Sequence, residues 1–101
     1  MPNKSIFIQR FEELASEIVN VESTLSTHVS RQFGARQYVD GEALLAWSLK
    51  ARHLISEICG PESEYYKQFV ASQTSNTYGT NHDIMKNLRA VFNATRNDFE
   101  K

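Results

Sequence analysis

The sequence predicts an all-α fold, a small bundle of about four helices with a long N-terminal helix. Three observations carry that expectation. Apolar residues recur at spacings of three and four in several separate stretches. The chain has only four Gly and two Pro, few for a β-rich protein with many tight turns. No stretch shows strand-like alternation of apolar and polar residues or an internal repeat. The length of 101 residues and the 41% hydrophobic content suit one domain, spanning 1–101, with one modest core.

The first helix is expected from about Asn3 to Gln32. Phe7, Phe11, Leu14, Ile18, Val21 and Leu25 form one stripe close to a 3.5-residue period. Ser5 or Asn3 can cap its start. Its far end is weakened by ESTLSTHVS, whose Ser, Thr and Val residues are poor helix formers. Gly34 then suits the position after a helix, where a positive φ is needed.

Asp40 is an N-cap candidate for a second helix reaching Cys59, with Glu42 in the first turn at the positive end of the dipole. Leu44, Trp47, Ala51, Leu54, Ile55 and Ile58 share a face, and Leu45, Ala46 and Leu49 widen it. So broad an apolar face predicts burial on more than one side. Gly60-Pro61 marks a sharp corner into a third helix over 61–72, with Tyr65 and Phe69 facing inward. A polar connection, Ser72 to Asp83, follows. Thr80 or Asn81 can cap a fourth helix with the stripe Ile84, Leu88, Val91, Phe92, Thr95 and Phe99. This pattern meets no stop signal before Lys101, which reads as a domain cut from a longer chain, its N-terminal fragment.

The formal charge of −1 gives no nucleic-acid footprint. A single cysteine rules out an internal disulfide and fits a reducing compartment. No run is long and apolar enough for a membrane span, and the N-terminus does not read as a signal peptide, so cytoplasm is the expected location. His28, His53 and His82 fall on different elements without ligand spacing, so no metal and no cofactor are expected. Cys59 has no base nearby in sequence and lies at a helix C-terminus, which disfavours a thiolate. Trp47, Tyr65, Tyr66 and Phe69 read as core aromatics, because a base-stacking platform would come with more basic residues than Lys67.

Two resemblances bear on function. Arg96 and Asn97 occupy the first two places of the Arg-polar-x-x-x-His motif of small helical nucleases of the higher-eukaryote-and-prokaryote nucleotide-binding (HEPN) class. Lys101 stands where that motif has its His, and a lysine of ordinary pKa is a poor proton shuttle near neutrality. Separately, Trp47, Gly60, Ser63, Tyr65, Tyr66, Phe69 and Phe99, across residues 44–101, resemble the N-terminal helical region of a diverse group of uncharacterised bacterial proteins found beside mobile-element and phage-defence genes. That resemblance implies an accessory or interaction domain of a larger protein and no active site.

The expected role is therefore protein–protein association, with another protein or with a second copy of the chain, and not catalysis. Phe7, Phe11, Leu14, Val91 and Phe99 are the expected contact residues. The alternatives are a degenerate HEPN-like RNA-cleaving domain that borrows His82 or a histidine from another chain, and a small immunity protein that blocks a toxin.

Overall fold

A computed structural model describes residues 4–32, 34–74 and 79–101. It is a four-helix bundle with a two-stranded β-hairpin between the first two helices. Helix α1 runs over Lys4–Glu22 and buries Phe11, Leu14, Ile18 and Val21, four members of the predicted stripe. It stops ten residues before the expected Gln32. The Ser23 hydroxyl donates to the Asn20 carbonyl and the Thr24 hydroxyl to the Val21 carbonyl, both at 2.6 Å. Hydroxyls on the last turn compete with the next backbone amides for those carbonyls. Beyond them, β-branched Thr27 and Val29 favour an extended chain. Asn3, one of the two cap candidates, lies outside the described residues.

The expectation of no strands is thus corrected. Strand β1, Ser26–Ser30, pairs antiparallel with β2, Gly34–Tyr38, in a continuous register from Ser26↔Tyr38 to Ser30↔Gly34. Gly34 does take a positive φ, 72°, but it closes this hairpin and does not end a helix. The hairpin is almost wholly exposed. Its apolar content is too low for the alternation rule to find it. The longest dimension of the molecule, 56 Å, exceeds the roughly 30 Å of a 20-residue helix, because the hairpin projects as an arm.

Contacts at its base tie the arm to the start of α4 and to Thr24. Asn81 accepts from the Val39 amide at 2.9 Å and donates to the Val39 carbonyl at 2.8 Å. The Thr80 hydroxyl donates to the Gln37 carbonyl. The Asp40 amide donates to the Thr24 hydroxyl at 2.8 Å, closing the base of the arm.

Helix α2, Gly41–Cys59, starts at the expected cap: the Asp40 carboxylate accepts from the Glu42 amide. It ends at Gly60, φ 85°, whose N–H donates to the Ser56 carbonyl. Helix α3, Glu64–Thr74, begins three residues after Pro61. Ser63 is its cap, accepting from the Tyr66 amide at 3.1 Å. Helix α4, Asn81–Glu100, opens with a reciprocal capping box between Thr80 and Asp83.

The helices run up, down, up, down. Phe7 meets Phe99 and Glu22 pairs with Arg89, so α1 and α4 are antiparallel. Trp47 lies at the centre, fully buried, with ring contacts to Phe69 at 6.1 Å and Phe92 at 5.4 Å. Its indole N–H donates to the Leu14 carbonyl at 2.8 Å, which satisfies the one polar atom of the largest core side chain.

Candidate functional site

The structure separates the five expected contact residues. Phe11 and Leu14 are core residues, with Phe11 enclosed by Phe92 and Phe99. They have no surface to offer a partner. The middle of the α1 seam, Phe11, Leu14, Ile18 and Val21, is buried inside the chain. Phe7 and Phe99 are half-buried against each other, ring centroids 5.9 Å apart. Val91 is half-buried and lines a shallow groove between α3 and α4, with Tyr65, Ala90 and Ala94.

Among the described residues the exposed large apolar side chains are Ile6 and Val19 of α1, Leu25 just beyond it, Val29 of β1, and Leu45 and Leu49 of α2, and only the last two lie one turn apart on one helix. The sequence argument expected this helix to be buried on more than one side; one side is buried. Leu44, Trp47, Ala51, Leu54 and Ile55 face the core. Leu45 and Leu49 remain 57% and 45% exposed, and Ala46 is exposed beside them. Among the described elements α1, α3 and α4 pack on α2, and the residues buried there are Leu44, Trp47, Ser48, Ala51, Leu54 and Ile55. Leu45 edges an apolar depression lined by Leu44, Ile84 and Leu88.

Glu42 and Arg52 extend the two leucines at each end. The spacing Glu42, Leu45, Leu49, Arg52 is three, four, three, so all four share one line along the helix. Arg52 reaches Gln73 of α3 at 3.4 Å, a long contact that leaves the guanidinium near the surface. On the other flank, Lys50 pairs with Glu17 of α1 at 2.9 Å. The outer stripe is therefore apolar at its middle, acidic at its N-terminal end and basic at its C-terminal end.

The polar clusters do not assemble a catalytic arrangement among the described residues. Cys59 sits at the corner between α2 and α3. Partial burial pushes its thiol up, a hydrogen bond from Ser63 opposes this, and the Asp98 carboxylate adds to the rise. The thiol is thus held away from the thiolate form. Tyr65 is pushed up in turn, first by desolvation, then by the charge and hydrogen bond of Asp98. His28, His53 and His82 lie on β1, α2 and α4, and no group of three His, Cys, Asp or Glu could hold a metal among the described residues. Arg96 pairs with Glu100 at 3.0 Å. His82 and Arg96 are at opposite ends of α4, about 21 Å apart along its axis, so folding does not bring His82 to Arg96 and Asn97. No described helix is long and apolar enough to cross a membrane.

No protein-family model, curated protein or solved structure matches the chain. The α2 stripe went unseen in sequence because Leu45 and Leu49 look like an extension of the core face. The signal that could have found it is the 3-4-3 line ending in opposite charges.

Proposed function

We propose that this domain works by protein–protein association, and that the occupant of the outer α2 stripe is a second copy of the chain. The register of the stripe carries the reading. In an antiparallel, two-fold pairing of α2 centred at position 47, Leu45 of one copy meets Leu49 of the other. The same operation sets Glu42 against Arg52 at both ends. One patch is thus complementary to itself, the requirement of an isologous dimer. The resemblance of residues 44–101 to the N-terminal region of bacterial proteins beside phage-defence genes agrees with an accessory role in a larger, defence-related protein.

The magnitude is modest. Fully burying a leucine contributes about 1.5–3 kcal/mol, so four half-exposed leucines contribute roughly 3–6 kcal/mol. Two exposed ion pairs add about 0–1 kcal/mol each. Set against an entropic cost of at least about 4 kcal/mol, this leaves at most about 4 kcal/mol, a weak dimer with a Kd of about 1 mM. Molar mass by sedimentation or light scattering up to about 1 mM tests it. The expected result is a mass that rises towards the dimer with concentration and stays monomeric in Leu49→Glu. A wild-type mass that is monomeric throughout, or a dimer that survives Leu49→Glu, contradicts the proposal.

A further inference from the structure

Among the described residues the β-hairpin arm holds one open strand edge, and its two edges are not equivalent. On β2, the carbonyl of Gln37 is taken by Thr80. Both polar backbone groups of Val39, just beyond that strand, are taken by Asn81. Those groups therefore point away from β1 and towards α4. In an antiparallel ladder the two groups of one residue point the same way and alternate along the strand. Gln37 faces Thr27 across the register, and Ala35 faces Val29. Thr27 and Val29 must accordingly turn their own N–H and C=O groups outward, on the far side of β1. Among the described elements β1 touches only β2, and no described strand pairs with that edge.

Edge strands in soluble proteins are usually guarded by charge, proline, a bulge or a cover. Strand β1, STHVS, has no Lys, Arg, Asp or Glu, no proline and no break in its register. All five residues are exposed, Val29 by 80%. At Thr27 and Val29 this edge has none of these guards among the described residues.

Charge identifies the partner. Between Glu22 and Asp40 the chain carries Arg31 and Arg36 and no acidic residue. The rest of the chain has nine basic and twelve acidic side chains. The arm is thus a positive projection from a negative body. A second arm has no acidic residue to set against Arg31 and Arg36, so its charge matches the arm less well than an acidic segment does. A nucleic acid, long and polyanionic, would meet the negative body as well as the arm. A short extended acidic segment along β1 meets less of the negative body, with Asp83 of α4 near the Thr27 end.

We infer that the outer edge of β1 is a docking site for an extended acidic segment of another protein, added as a third strand at Thr27 and Val29 and held by Arg31. Backbone bonds supply the addition and the flanking charge selects for acid. The site lies on a different element from the α2 stripe and does not rest on dimer formation.

The test is titration of the full chain with a blocked eight-residue peptide alternating valine or threonine with glutamate, followed by amide NMR. Its counterpart with lysine for glutamate and a single-stranded DNA 12-mer are run alongside. The decisive variant is Val29→Pro. It removes an outward N–H and no bond of the hairpin ladder, so the arm stays folded. The expected result is saturable binding of the acidic peptide with the largest amide shifts at Thr27 and Val29. Val29→Pro weakens it at least tenfold, Arg31→Glu weakens it severalfold, and the lysine peptide does not bind. Equal binding to Val29→Pro overturns strand addition. Tighter binding of the DNA than of the peptide overturns the choice of partner. No binding of the acidic peptide up to about 1 mM overturns the site itself.

Discussion

Replacing Asn81 by alanine should loosen the arm from the bundle and cost more stability than its half-buried position suggests. The side chain acts as a clamp, accepting from the Val39 amide at 2.9 Å and donating to the Val39 carbonyl at 2.8 Å. Val39 itself is buried, so its backbone groups cannot simply exchange the amide for water. Each hydrogen bond contributes about 1 kcal/mol net, and a buried backbone group left without a partner costs about 1–3 kcal/mol. Alanine regains a few tenths through its better helix propensity at the start of α4. The sum is a loss of roughly 2–3 kcal/mol, or a fall in Tm of roughly 10–20 °C for a domain of this size. Urea denaturation followed by fluorescence of the single tryptophan, Trp47, reads it. Asn81→Asp separates the two bonds. It keeps the acceptor for the Val39 amide, turns an oxygen towards the Val39 carbonyl, and gains from the helix dipole. It should fall between wild type and Asn81→Ala. A loss below about 0.5 kcal/mol for alanine, or unchanged hydrogen exchange at the Val39 amide, would refute the clamp.

Three further outcomes follow from the same contacts. Trp47→Phe removes the donor to Leu14 and leaves a void beside Phe69 and Phe92; it should cost about 2–3 kcal/mol in urea melts with no change in secondary structure by circular dichroism. Gly60→Ala should cost about 1–3 kcal/mol from backbone strain alone, since φ is 85° and an added Cβ would meet nothing within 4 Å; a neutral substitution would mean that the corner relaxes. The Thr80 backbone N–H, 2.9 Å away, holds the Asp83 carboxyl below its ordinary value. A depressed folded pKa contributes stability above the ordinary carboxylate value of about 4, and that stability is lost as pH falls below it; Asp83→Asn should flatten this limb of a Tm-against-pH curve.

Much of the bundle could be read from particular residues because local rules and burial agreed there. Asp40 and Thr80 are capping residues with acidic partners at Glu42 and Asp83, and both caps form. Gly60 breaks the chain where only glycine takes its backbone angle easily. The arm was hidden because its signals are weak in isolation. Its strands bury almost nothing, so no hydrophobic alternation marks them, and Gly34 signals a positive φ without saying whether a helix or a hairpin needs it. The α2 surface was misread for a different reason. Periodicity shows which residues share a face of a helix, but how many neighbours pack on that face depends on tertiary contacts. Leu45 and Leu49 share the apolar half of α2 with the core residues and differ from them only in having no helix above them. Phe11 and Leu14 erred in the opposite direction: an apolar seam on α1 fits a partner chain and this chain equally well, and α2 and α4 fill it.

The self-complementary register of α2 is the central claim, and a charge exchange tests it most directly. Glu42→Arg gives both ends of the stripe a positive charge, and Arg52→Glu gives both ends a negative one. Each variant alone should be monomeric at concentrations where wild type associates. Mixed in equal amounts, the two should restore the mass, because the arginine introduced at 42 meets the glutamate introduced at 52 while the native pair re-forms at the other end. Sedimentation of the mixture should therefore show a heterodimer at least as tight as the wild-type dimer. Two monomers that remain separate in the mixture, from a wild type that does associate, would contradict the antiparallel pairing.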